Sequence, residues 1–257
     1  MTSAIILAGG LGMRLRSAVP DLPKPMAPVA GRPFLAHQLD HWIAQGVDHF
    51  VLSVGYRHEA ISGFFGGRYG GAALDYVVEA SPLGTGGALL GAVARLPGNE
   101  PALLLNGDTY FDVGLDSLAG QARRHDAQWC FALFASDDPA RYMGVGLAPD
   151  GRIHALRDPH ARWANGGVYW FRPDALHGLK HEPGRVLSLE NDLFPRLHAQ
   201  GQRFAGLACA GNFIDIGVPH DYARAAAVLP RGPLAEHRPG RTRTPGECVA
   251  AAASGNP

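Results

Sequence analysis

Apolar and polar positions along this chain follow two rhythms that alternate from the first residues onward. Ala4–Leu7, His49–Val54, Ala73–Val78, Ala102–Leu105 and Trp129–Ala135 are strand-length runs dominated by apolar and β-branched residues, the pattern of strands covered on both faces. Between them the sequence predicts helices over Pro33–Gln45, with proline first and Gly46 as the stop, over Thr85–Arg95 and over Leu115–His125. Shorter strands are expected at Gly144–Leu147, Ile153–Leu156 and Val168–Phe171. A helix near Leu189–Ala199, a strand near Phe204–Cys209 and a last helix over Pro219–Val228 complete the series. This alternation predicts an α/β fold, Rossmann-like, with a mixed, mainly parallel sheet and helices on both faces. No fixed period repeats along the chain, and there is no hexapeptide array that would build a β-helix. From Pro230 the composition shifts to Pro, Gly, Arg and Ala, so residues 230–257 are expected to be a flexible tail on a domain of residues 1–229.

The first apolar run ends in Gly9-Gly10-Leu11-Gly12-Met13-Arg14-Leu15-Arg16, and Pro23-Lys24-Pro25-Met26 follows closely. Glycines let backbone N–H groups approach phosphates, and three cations can neutralise a polyphosphate; together these features point to a nucleoside triphosphate. Two commoner phosphate motifs are excluded. A Walker A loop needs Lys-Ser/Thr straight after its last glycine. A dinucleotide fingerprint needs a third glycine where Met13–Leu15 stand and an acidic residue ending the next strand, which here runs into Gly55-Tyr56-Arg57.

Composition acts mainly by exclusion. With 23 basic and 23 acidic residues in 257, the chain offers no overall attraction for nucleic acid or an anionic membrane, so any phosphate affinity is local. No apolar run approaches the ~18 residues of a membrane span, and Met1-Thr2-Ser3 lacks the basic segment of a secretory signal. Cys130, Cys209 and Cys248 show no metal spacing and suit a reducing cytoplasm; Cys130 and Cys209 are expected as small core residues. His37 and His41 stand i, i+4 on a predicted helix without a third ligand, so core or surface positions are expected rather than a metal pair.

Five motifs in one order carry a resemblance: the glycine loop, Pro23-Lys24-Pro25-Met26, Pro82-Leu83-Gly84-Thr85-Gly86-Gly87-Ala88-Leu89, Asn106-Gly107-Asp108-Thr109-Tyr110 and Phe213-Ile214-Asp215-Ile216-Gly217-Val218-Pro219. From about Ser3 to Leu229 the chain resembles the nucleotidyltransferases that join a sugar 1-phosphate to a nucleoside triphosphate. Among them it is most similar to the D-glycero-D-manno-heptose 1-phosphate guanylyltransferases. The resemblance implies the nucleotide-diphospho-sugar transferase fold, with a nucleotide-binding half over about residues 1–110 and a sugar-facing half over about 111–229. It also implies a product used in surface polysaccharide or glycoprotein assembly. In such a reaction a sugar 1-phosphate oxygen attacks the α-phosphorus and pyrophosphate leaves. A phosphate monoester is largely dianionic at neutral pH (second pKa about 6), so no general base is required. Catalysis then consists of aligning two polyanions and stabilising charge in the transition state.

On this reading the amides of Gly9, Gly10 and Gly12 line the phosphates, while Leu7 and Ala8 present backbone groups toward the base. Arg14 falls where the family's phosphate-binding arginine falls and is expected on the β/γ-phosphates; Lys24, stiffened by two prolines, is expected to neutralise the α-phosphate as the bond forms. Arg16 reads either as solvated or as a further phosphate contact. Asp108, at the carboxyl end of a predicted strand, and Asp215, in a second apolar segment, are the expected Mg²⁺ ligands, with phosphate oxygens and waters completing the octahedron. Taken alone, Asp108 would read as a turn or helix-cap residue.

Glu79 and the Pro82–Gly87 loop, including Gly84 and Thr85, are expected to choose the base. A carboxylate accepts from both N1–H and N2–H of guanine, which favours GTP over uracil or thymine nucleotides. In relatives the counterparts of Asn165, Gly166 and Glu190 contact sugar hydroxyls; a turn at Asn165-Gly166 and a first-turn helix carboxylate at Glu190 are the competing readings. Relatives often carry Glu-Lys-Pro, its lysine on the sugar phosphate. Here Arg157-Asp158-Pro159 stands in that region, leaving Arg157 or Arg162 to supply the cation. The expected partners are GTP and a sugar 1-phosphate, with neither nucleic acid nor membrane, and homo-oligomerisation is left open. Rival enzymes on the same scaffold are a uridylyltransferase or a mannose 1-phosphate guanylyltransferase. A rival of another kind is a non-catalytic, nucleotide-sugar-binding regulatory subunit, which would be expected to have lost the lysine or the metal carboxylates.

Overall fold

The computed structural model describes residues 1–136, 138, 141–180 and 185–230; the expected tail, Pro230 excepted, and Cys248 lie outside the described residues. In chain order the strands are β1 (Ser3–Ala8), β2 (Pro28–Val29), β3 (Arg32–Pro33), β4 (His49–Val54), β5 (Arg68–Tyr69), β6 (Ala72–Val78) and β7 (Ala102–Asn106). They continue with β8 (Thr109–Phe111), β9 (Trp129–Ala135), β10 (Gly144–Leu147), β11 (Ile153–Leu156), β12 (Trp163–Phe171), β13 (Phe204–Ala208) and β14 (Phe213–Asp215). The α-helices are α1 (Phe34–Ile43), α2 (His58–Phe65), α3 (Gly84–Ala92), α4 (Leu115–Arg124), α5 (Phe194–Ala199) and α6 (Pro219–Val228).

A ten-stranded mixed sheet forms the centre, with β7, β1, β4 and β6 side by side and parallel. β12 runs antiparallel to β7 on one side and to β9 on the other, and β13 extends the sheet parallel to β9. Residues of β1 alternate between two cores. Ala4, Ile6 and Ala8 pack with Leu35, Leu39 and Trp42 of α1, while Ile5 packs with Leu89 and Ala92 of α3. Burial on both faces is why the run is almost continuously apolar. In register, Ala8 stands beside Val54 and Leu7 beside Asn106, so the glycine loop leaves the sheet at the carboxyl ends of its central strands, where ligands of such sheets bind.

A third, smaller core lies outside the sheet. Leu15, Ala27, Val29, Tyr110, Ile214 and Ile216 are all buried in it. It therefore joins the glycine loop, the segment after Lys24, β8 and β14 into one block, and the loop positions are set by packing rather than left free.

Three stretches differ from what the sequence suggests. α2 carries no start signal: its first flanking residue, Arg57, sits at φ 50 with no side-chain cap, and Gly63 within it is a poor helix former. β12 begins at Trp163 rather than Val168, because Asn165-Gly166-Gly167 is not a strand end but a bulge. The register shifts between Asn165 and Tyr169, and Gly167 absorbs it at φ 70. The helix expected near Leu189–Ala199 starts as a π-turn over Leu189–Leu193 before α5. Pro195 has no N–H to continue an ordinary ladder, and Leu193 N–H instead reaches the Ser188 carbonyl at 3.0 Å.

His37 and His41 are buried core residues, their Nε2 atoms 3.0 and 3.2 Å from the Val29 and Val113 carbonyl oxygens, and Cys130 and Cys209 are buried as well. Burial pushes the His41 imidazole below its ordinary value, and nearby Asp112 and the Val113 carbonyl oppose this only in part. The folded state thus keeps His41 neutral, while the unfolded chain takes up a proton near pH about 6.5. Below that value the unfolded state binds more protons, so stability falls as pH drops through it. Urea midpoints at successive pH values should show this slope, and His41→Asn should flatten it; an unchanged slope would move its origin to other groups.

Candidate active site

Two adjoining cavities open at the carboxyl ends of β1 and β7, and Asn106 and Asp108 line both. The first, about 320 Å³, is walled by Leu7, Ala8, Gly9, Gly10, Lys24, Glu79, Gly84 and Thr85. The second, about 540 Å³, is walled by Arg14, Arg141, Arg157, Asn165, Glu190 and Asp215 among others. Residues expected on the nucleotide side and residues expected on the sugar side thus fall into separate chambers. Gly12 and Gly166 line neither, and Arg14, expected with the nucleotide, stands in the second chamber.

Lys24 opens a tight 3₁₀ turn, Lys24–Met26, behind the extended Pro23, and Gly12 at φ 60 faces it. Its Nζ lies 2.7 Å from Asp108 Oδ2, with 13% of the lysine side chain and 30% of the aspartate side chain exposed. The turn bearing Asp108 is held from three sides. Gly107 N–H donates to the Leu7 carbonyl at 2.9 Å, and a Cβ at this glycine would lie 2.5 Å from that oxygen. Ile216 N–H donates to the Asp108 carbonyl at 2.9 Å, as β14 pairs Asp215 with Thr109 of β8. Finally, the buried amide of Gln38 on α1 donates to the carbonyls of Asn106, at 2.8 Å, and Thr109. Gln38 is missed by sequence reasoning, since nothing distinguishes it from other helix residues until the fold brings the turn to it.

Asp215 faces the same cavity as Asp108. Burial first, and the charge of Asp108 second, push its carboxyl above the usual range, against the Gly217 N–H and Arg141. Arg141 is a second residue the sequence does not disclose. Its Nη2 lies 3.1 Å from Asp215 Oδ2, and its other arm pairs with Asp221 at the start of α6. It is a lone arginine in an irregular segment, far along the chain from both partners. Among the described residues no group of three or more His, Cys, Asp or Glu could hold a metal. A cation here would therefore have Asp108 and Asp215 as protein ligands and need oxygens from a bound phosphate. Two mutually repelling hard oxygen donors fit a divalent ion such as Mg²⁺.

Glu79 is fixed by Ser53 Oγ, which donates to Oε1 at 3.0 Å, and by Leu83 N–H, which donates to Oε2 at 3.2 Å. Its carboxylate overlies Gly9, where any side chain would collide with it. Gly84, at φ 75, admits the Leu187 backbone into space a Cβ would occupy, and Gly86 N–H donates to the Leu187 carbonyl at 2.8 Å. In the second chamber Asn165 Nδ2 donates to the Tyr169 hydroxyl at 2.6 Å, while its Oδ1 accepts from Gly167 N–H at 3.1 Å. Gly166 packs instead against the Phe111 ring, and Gly167 is the one of the two that reaches the cavity wall. Of the candidate cations, Arg157 lines the chamber and donates to Asn191 Oδ1 at 2.6 Å. Arg162 stacks over Trp163 and Arg16 over Tyr56, at 5.3 and 4.8 Å from the ring centroids. No helix among the described residues is long and apolar enough to cross a membrane.

The fold agrees with comparisons to known proteins. Residues 3–231 match the nucleotidyl transferase family. The chain is 39% identical to a D-glycero-α-D-manno-heptose 1-phosphate guanylyltransferase of Aneurinibacillus thermoaerophilus, over 88% of this chain and 97% of that one. It is 34% identical to a mannose-1-phosphate guanylyltransferase of Mycobacterium tuberculosis, over 89% of this chain and 65% of that one. The crystal structure of HddC from Yersinia pseudotuberculosis complexed with GMP-PN superposes with a TM-score of 0.75 at 28% identity, covering 88% of this chain and 99% of that one. With a match that runs from β1 through α6 and takes in both chambers, the chain belongs to the nucleotidyl transferase family.

Proposed function

We propose that this chain transfers GMP from GTP to a heptose 1-phosphate, forming a GDP-sugar and pyrophosphate. The observation that carries the reading is the meeting of two chambers at Asp108, with the Lys24 ammonium 2.7 Å from its carboxylate. In this reading the glycine loop and Glu79 hold the nucleotide in the first chamber. The second takes the acceptor: Asn165 and Glu190 face its hydroxyls, and Arg157, rather than Arg162, meets its phosphate. Lys24 neutralises the α-phosphate as the new bond forms, and Arg14 approaches the phosphates from the acceptor side. Asp108 and Asp215 would hold Mg²⁺, which would supply charge neutralisation at the phosphate oxygens. Guanine and heptose are supported by the relative matched over 97% of its length; the mannose enzyme is matched over 65%. A regulatory, non-catalytic role is disfavoured because Lys24, Asp108 and Asp215 are all kept.

Pyrophosphate release across a panel of triphosphates and sugar 1-phosphates tests this directly. GTP with a manno-configured heptose 1-phosphate should give the highest kcat/KM; a preference for UTP, or for mannose 1-phosphate, would replace the corresponding half of the proposal. Glu79→Gln exchanges an acceptor-only group for one that also donates, so it should lower the GTP/UTP ratio of kcat/KM about tenfold or more, as expected for a lost charged hydrogen bond. An unaltered ratio would assign base reading to the backbone.

A further inference from the structure

Thr85 lies in the first turn of α3 and lines the first chamber, yet its hydroxyl is engaged elsewhere. Thr85 Oγ1 donates to Glu190 Oε2 at 3.2 Å and accepts from Leu189 N–H at 2.8 Å. Glu190 belongs to the second chamber. Its Oε2 also accepts from Ser188 Oγ at 3.2 Å, so two hydroxyls converge on one oxygen; Oε1 receives no hydrogen bond among the described residues. The surrounding backbone reinforces this contact. Leu187 N–H donates to the Leu83 carbonyl at 2.8 Å, and Gly86 N–H donates back to the Leu187 carbonyl at 2.8 Å. The segment carrying Glu190 is thereby docked along the loop that closes the nucleotide chamber.

We infer that Thr85 is a positioning residue for the acceptor sugar: from the wall of the nucleotide chamber it orients Glu190 so that Oε1 points at a sugar hydroxyl. The inference rests on the proposal that Glu190 touches the acceptor. A carboxylate on a flexible side chain must lose rotamer freedom to bind a ligand in one orientation, and two donors on Oε2 remove that freedom beforehand. Valine at position 85 keeps the shape but removes the hydroxyl, leaving Glu190 with one donor and the Leu189 N–H without its acceptor.

Steady-state kinetics of the full chain with GTP, Mg²⁺ and a manno-configured heptose 1-phosphate test the idea. Thr85→Val should raise KM for the sugar phosphate about tenfold, the cost of one hydrogen bond to a charged group, and by more than it raises KM for GTP. Thr85→Ser, which restores the hydroxyl, should return the acceptor KM toward wild type. Ser188→Ala removes the other donor from outside the nucleotide chamber and should move the acceptor KM in the same direction, which also serves if Thr85→Val folds poorly. A rise in KM for GTP that equals or exceeds the rise for the sugar phosphate overturns the inference. Glu190→Gln separates the two levels of the argument. If it raises the acceptor KM while Thr85→Val and Ser188→Ala do not, the positioning role fails and the acceptor site stands. If it leaves that KM unchanged, the role of Glu190 fails and the inference with it.

Discussion

Lys24→Ala should lower turnover by about a thousandfold, the upper range for losing one preorganised charge at a developing anion, while GTP binding measured by calorimetry weakens by no more than about tenfold. The asymmetry follows from placement. Lys24 Nζ sits against Asp108, which lines both chambers, so in the proposed reading it meets the reacting phosphate rather than the far end of the triphosphate. Its mounting is stiff: Pro23 fixes the approach, and Ala27 and Val29 just beyond it are buried in the third core. Little reorganisation is then needed when charge develops, which is the condition under which a fixed ammonium acts most strongly. Lys24→Arg tests the same point with charge retained. A planar guanidinium on a longer side chain cannot occupy the ammonium's position beside Asp108, so activity should remain far below wild type. Wild-type turnover in Lys24→Ala would remove the assigned role.

Much of this site could be read from the chain because local chemistry dictated it. The glycine loop, the proline-flanked lysine and the strand-end aspartate are each marked by the residues next to them in the chain, and the central strands announce themselves by burial on two faces. What escaped the sequence depends on contacts between distant segments. Gln38, Arg141 and the hydroxyl of Thr85 act through partners on other elements, and no spacing rule reaches them. Gly166 and Gly167 show a finer ambiguity: a glycine pair signals irregular backbone without saying which glycine packs and which faces the ligand. The Phe111 ring decides that.

Asp215→Asn should abolish nearly all activity, by about a thousandfold or more on the several kcal/mol that metal-assisted charge stabilisation supplies, and at the same time raise the melting temperature of the ligand-free protein. The second half rests on electrostatics. Burial and Asp108 together disfavour the charged form of Asp215 in the folded state, beyond what Gly217 N–H and Arg141 return. Asparagine removes that repelled charge, a gain expected to exceed the cost of turning its amide N–H₂ toward Gly217 N–H or the Arg141 guanidinium. Arg141 stays paired through Asp221, which also accepts from Arg224 Nε at 2.9 Å, so the substitution leaves no guanidinium stranded. In wild type, Mn²⁺ or Mg²⁺ with GTP should raise the melting temperature by relieving the same repulsion, and that increment should shrink in Asp215→Asn. The proposed function then accounts for the destabilising pair: two carboxylates that repel each other would be completed by a cation and a polyphosphate during turnover. A variant that melts lower than wild type, or that keeps a tenth of its turnover, would show that Asp215 serves the fold and not the metal.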